Sequence, residues 1–239
     1  MKNLLVNIGK KSKYAFSTQI NSKTKDKVLK NYYQLINKNK KLILSENMKD
    51  IKNAYKKNLK DNLIKRLLLN NKKILDITNS VKKIIKLKDP TNIILEKWKR
   101  PNGLNITKVS IPLGVIGIIY ESRPNVTSDV AALCFKSGNS VILKGGSEAY
   151  YSNKILSRLF RKSLKKNKVD ENYVQFIDIK NRSVVDFLLT KMNKFIDIII
   201  PRGGKSLVKK VQNKSLIPII GHLEGVCHSY VDKDANPKI

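Results

Sequence analysis

Three short segments of this 239-residue chain combine cations, glycine pairs and an amide in ways that suit the handling of an anion. Lys144-Gly145-Gly146-Ser147 and Arg202-Gly203-Gly204 each place a cation and two glycines directly after an apolar run, with a helical pattern following. Glycines let a backbone approach a ligand closely, and a helix N-terminus favours negative charge, so the two segments read as cradles for phosphate or ribose. Ser147 is placed to cap the helix after it. The third segment, Glu121–Thr127 (ESRPNVT), offers Asn125 as a neutral donor and Arg123 as a clamp for an anion. Taken alone, Pro124-Asn125 reads better as a turn with a helix cap, and one glycine pair as an ordinary connector. Neither glycine segment matches GxGxxG or the P-loop pattern, so the standard nucleotide fingerprints are absent.

Other reactive side chains are few. Cys134, within AALCFK, falls on the apolar face of a helical pattern and reads as a packed core thiol. Cys227 precedes His228, but neighbours on a strand point to opposite faces, which rules out a nucleophile–base dyad. His222 has no partner at metal-ligand spacing, so no metal site is expected. Two cysteines without a CxxC spacing fit a reducing cytosol, and the basic start has no signal-peptide core; a cytoplasmic protein is expected. Apolar runs such as Val115–Tyr120 are too short to span a bilayer. The formal net charge of +31 invites a nucleic-acid reading. Lysines, however, are scattered over nearly every polar helix face, with no zipper, zinc-finger spacing or aromatic-basic strand. Weak, salt-sensitive and non-specific polyanion binding is the expectation.

The elements that must position these residues divide into two regions. Residues 1–107 read as helices ending in a short hairpin. Thr24 or Ser22 would cap a helix burying Val28, Leu29, Tyr32, Leu35 and Ile36, and further apolar sets follow at helical spacing: Met48, Ile51 and Tyr55; Leu63, Ile64, Leu67 and Leu68; and Ile74 through Ile85. Asp89-Pro90 ends the helices, and Asn102-Gly103 is the turn of two short strands. Residues 108–239 alternate strand and helix: a strand at GVIGIIY, a helix over 127–137 with Gly138 past its end, and a strand at SVILK. A helix after Ser147, a strand over 173–179, a helix over 184–192, a strand over 196–200 and a helix from Lys205 come next. LIPII and HSYV close the chain as strand-like runs. The fold class is α/β: N-terminal helices, then a Rossmann-like, mostly parallel sheet with helices on both faces. In such sheets ligands bind beyond the carboxyl ends of the strands, where all three segments lie.

In order, the stretches from VSIPLGVIGIIYESRPNVT to VILKGGSEA, then IDIIIPRGGKSL and IPIIGHLEGVCHSYVD, resemble γ-glutamyl phosphate reductase (glutamate-5-semialdehyde dehydrogenase), an aldehyde-dehydrogenase relative. The resemblance covers essentially the whole chain and implies NADPH-dependent reduction of L-glutamate 5-phosphate to the 5-semialdehyde in proline biosynthesis. It implies that Asn125 helps form an oxyanion hole, that Lys144, Gly145, Gly146 and Ser147 meet the adenosine ribose and its 2′-phosphate, and that Arg202, Gly203 and Gly204 meet the pyrophosphate. The resemblance transfers no role to Arg123, whose reading as a clamp for the substrate anion comes from its charge and position alone. The family's nucleophilic cysteine sits in an RPS-C-N-like motif with no counterpart here, so a truncated enzyme is expected, completed by a C-terminal catalytic partner chain or a homo-oligomer. A non-catalytic NADPH-binding or assembly module is the alternative, and a basic nucleic-acid-binding protein ranks last.

Overall fold

The computed structural model describes residues 1–181, 183–221 and 227–236. Five helices come first: α1 (Lys2–Ser17), α2 (Ser22–Lys38), α3 (Lys40–Lys56), α4 (Asp61–Leu67) and α5 (Asn71–Lys86). An antiparallel hairpin, β1 (Ile94–Lys99) and β2 (Asn105–Val109), follows, turning at Gly103. The remaining elements are β3 (Val115–Tyr120), α6 (Pro124–Lys136), β4 (Ser140–Gly145), α7 (Tyr150–Lys166), β5 (Val174–Phe176), α8 (Ser183–Lys191), β6 (Ile198–Arg202) and α9 (Lys205–Lys214).

Strands β3 to β6 form one parallel sheet in the order β5-β4-β3-β6. Every residue of β3 and β4 is buried, as a strand covered on both faces requires. Side chains alternate between two cores. Ile116, Ile118 and Tyr120 face α2, α5, α6 and α7, while Val115 and Ile119 face α1, α8 and α9. The chain winds outward from β3 to β5, then returns to place β6 on the other side. That reversal between β3 and β6 opens a crevice at their carboxyl ends.

Several local expectations need correction. Asn21, not Thr24 or Ser22, caps α2, its side chain accepting from the Thr24 amide at 2.9 Å. Helix α6 starts at Pro124, before the expected 127, because proline is pre-set for a first helical position. β5 is shorter than 173–179, and β6 is displaced toward the glycine pair relative to 196–200. Met48 and Tyr55 are exposed; Ile43, Ile51 and Ala54 bury the face of α3 instead. Within LIPII only Ile219 pairs, as a parallel bridge to Ile199, and HSYV is exposed and forms no strand. His222 lies outside the described residues.

Candidate functional site

The three segments singled out in the sequence meet along the carboxyl edge of the sheet. Lys144, the fifth residue of β4, is buried, and its Nζ donates to the Gly145 carbonyl at 2.9 Å. Burial pulls its pKa below the ordinary lysine range, with Glu148 opposing that shift. Gly145 is glycine for a packing reason. A Cβ there would stand 2.3 Å from Asn153 Nδ2 and 3.0 Å from the Tyr120 ring. Asn153 Oδ1 accepts from Thr127 Oγ1 at 2.8 Å, and Thr127 in turn bonds the Tyr120 hydroxyl at 2.6 Å. This buried chain ties α7 to α6 and to the end of β3.

Ser147 does not cap α7. It sits in a 3-10 turn, and its Oγ donates to Glu148 Oε1 at 3.1 Å. The cap comes from α3: Asp50 accepts from the Tyr151 amide at 3.0 Å and from the Ser152 amide and hydroxyl at 2.8 and 2.7 Å. The chain turns through Ser147–Ala149 before α7 begins, so Ser147 lies too early to reach the first helical amides. The N-terminus of α7 therefore already holds a carboxylate.

At the second cradle, Glu121 accepts from the Gly204 amide at 2.9 Å, at the start of α9. The same side chain covers Gly203, where a Cβ would come within 2.6 Å of the Glu121 carboxyl carbon. The Glu121 amide donates to the Arg202 carbonyl at 3.0 Å, tying the two loops together. Arg123 has the extended backbone expected before proline and is exposed. Asn125, also exposed, donates from Nδ2 to Asp129 Oδ2 at 3.2 Å, one turn further along α6.

Three cavities lie in a row along this edge. The first, about 390 Å³, is lined by Lys144, Gly145, Gly146 and Ser147 together with Lys180 and Lys210. It shares Glu121 with a second, about 260 Å³, that contains Arg202, Gly203 and Gly204. The second shares Arg66 and Arg123 with a third, about 370 Å³, that contains Asn125 and Asp129. All the sequence-assigned residues thus line one trough. Glu121 lay within the ESRPNVT segment, whereas Arg66, Lys180 and Lys210 carried no local signal among so many basic residues.

Neither cysteine enters the trough. Cys134 is buried, which pushes its thiol up to about 12, and Cys227 is exposed beside His228. Among the described residues no cluster of His, Cys, Asp and Glu could hold a metal ion, and no helix is long and apolar enough to cross a membrane.

No protein-family model matches the chain. It is 46% identical over 217 residues to a γ-glutamyl phosphate reductase of Nautilia profundicola, covering 91% of this chain and 53% of that protein. It is 43% identical over 240 residues to one from Ruthia magnifica, covering 57% of it. A crystal structure of the Thermotoga maritima γ-glutamyl phosphate reductase superposes with a TM-score of 0.87 at 35% identity, over 90% of this chain and 52% of that one. An aldehyde dehydrogenase from Listeria monocytogenes, at 14% identity and a TM-score of 0.68, shares the fold. The chain spans about half the length of the curated relatives it matches.

Proposed function

We propose that this chain, similar along nearly all of its length to about half of a γ-glutamyl phosphate reductase, is the cofactor-binding part of such an enzyme, taking NADPH for the reduction of L-glutamate 5-phosphate to glutamate 5-semialdehyde and phosphate. The observation that carries the reading is the row of adjoining cavities from Lys144 to Asn125, across the point where the strand order reverses.

In this reading an extended dinucleotide runs along the trough, from Lys144 toward Asn125. Lys144, with Gly145, Gly146 and Ser147, holds the adenosine ribose and its 2′-phosphate, and Lys180 and Lys210 line the same cavity. A lysine whose charge is disfavoured by burial gains most from a phosphate, which restores the charged form. Arg202, Gly203 and Gly204 take the pyrophosphate at the α9 N-terminus, where Glu121 must give way. The nicotinamide, when bound, supplies the hydride. Asn125 is exposed where the trough ends, so its Nδ2 can turn from Asp129 to an oxyanion on the reacting carbonyl, and Arg123 serves the substrate anion.

The chemistry also needs a thiolate to form the acyl-enzyme. Cys134 is excluded by its burial and raised pKa. The other half of the relatives' length is the proposed source of the nucleophile.

Titration of the purified chain following nicotinamide fluorescence tests the cofactor assignment. NADPH is expected to bind, and Lys144→Ala to weaken it by about tenfold or more, the loss of one charge-assisted contact, with a smaller effect on NADH. Equal losses for both cofactors would sink the role given to Lys144.

A further inference from the structure

The third cavity of the trough, between α5 and α6, carries a mixed charge that a purely anion-binding site would not need. Arg66 and Arg123 line it together with Asp76 and Asp129. No ion pair joins any of these four, and the side chains of Arg66, Arg123 and Asp76 have no hydrogen-bond or ion-pair partner among the described residues. Lys73, the remaining cation of the lining, is committed elsewhere. Its Nζ donates to the carbonyls of Lys65 and Leu68 at 2.8 and 2.6 Å, closing the end of α4. Arg66, Arg123 and Asp76 are exposed, so opposite charges within one cavity are available to a ligand that carries both.

We propose that this cavity recognises the zwitterionic head of an amino acid, Arg66 and Arg123 binding the α-carboxylate and Asp129, with Asp76, binding the α-ammonium. The proposal rests on the cofactor-and-substrate reading of the trough and specifies which part of the substrate each residue meets. Asp129 Oδ2 is bonded to Asn125, whereas Oδ1 is shielded and makes no well-formed hydrogen bond, with only the Ser80 hydroxyl placed to offset its burial. Burial holds the Asp129 carboxyl above the ordinary range, opposed by Ser80 and Asn125. An ammonium group would relieve that penalty. Asn125 and Asp129 meet at 3.2 Å on α6, so an ammonium at Oδ1 of Asp129 lies beside the amide that faces the reacting carbonyl. Arg66, in α4, had no assigned role in the sequence.

The test uses the 239-residue chain, with L-glutamate, glutarate (no amino group) and 4-aminobutyrate (no α-carboxylate) titrated by NMR, and NADPH titrated in parallel. L-Glutamate is expected to bind at least about tenfold more tightly than either analogue. Asp129→Asn should weaken L-glutamate and 4-aminobutyrate but leave glutarate unchanged, and Arg66→Gln should weaken L-glutamate and glutarate but leave 4-aminobutyrate unchanged. Should Asp129→Asn fail to fold, the exposed Asp76→Asn is expected to give the same selective pattern. Equal binding of all three compounds, uniform losses in the variants, or no saturable L-glutamate binding overturns the proposal. NADPH binding that persists through those failures leaves the cofactor reading intact. Selective L-glutamate binding without NADPH binding supports the head-group assignment and overturns the cofactor reading instead.

Discussion

Asp50 carries its carboxylate from α3 into the first turn of α7, where it satisfies two backbone amides and a hydroxyl. Burial raises its pKa, and the bonds from Ser152 and Tyr151 and the charge of Lys180 only partly offset that. The folded value therefore lies above the unfolded one, near 3.9. In the window between the two the folded state holds more protons, so this group's contribution to stability falls as pH rises through it. Asp50→Ala is expected to cost about 1–2 kcal/mol by loss of the cap, with a deficit that shrinks from pH 4 to pH 7. Urea midpoints at the two pH values check this; a deficit that grows with pH would contradict it. The sequence pointed to a cap at Ser147 because capping is usually local. A cap supplied from about a hundred residues away leaves no local spacing to read. Arg123, Lys144 and the two glycine pairs were legible because turns between strand and helix concentrate unusual residues.

Helix α2 is locked to the root of the hairpin. Lys25, buried, pairs with Asp89 at 2.9 Å, and Thr91 accepts from the same ammonium at 3.2 Å. Burial pushes the Asp89 carboxyl up, but the bonds from Lys25 and Thr91 outweigh it and hold the pKa below the usual range. The pair's stabilisation is therefore complete above about pH 4, the unfolded value, and is lost as pH falls through the lower folded one. Asp89→Asn strands a buried ammonium and is expected to cost about 3 kcal/mol at neutral pH while flattening the acid limb of the stability curve. Denaturant titrations of both proteins between pH 2 and 7, a window of about 5 units around that value, measure the difference. A variant with an unchanged acid limb would remove Asp89 from the explanation. Asp89-Pro90 and Asn102-Gly103 marked the limits of the hairpin in the sequence. Lys25 was only one basic residue among 49, and nothing in its neighbours announced burial.

The molecule as a whole carries +31 on a surface whose lysines do not gather into a base-reading element. Association with nucleic acid should then be counterion release alone. Unrelated duplexes are expected to bind alike at low salt and to fade together as salt rises, as fluorescence anisotropy would show. One duplex retained selectively at physiological salt would reverse that view. Alternating strand and helix patterns made the parallel sheet and its two covers legible, since a strand with both faces buried reads as an unbroken apolar run. The third cavity was not. It is lined from α4, α5 and α6, and charges from separate helices meet only once the chain has folded.

Glu121 has a consequence for how the trough behaves over time. Because a carboxylate already rests on the α9 N-terminus and bridges the loops after β3 and β6, the two walls are held in register before any ligand arrives. Under the cofactor reading, an incoming pyrophosphate is then an exchange of one anion for another, with little ordering left to do. What the site must supply is the displacement of a single exposed side chain, so occupancy of the pyrophosphate position and the rotamer of Glu121 become one coupled variable.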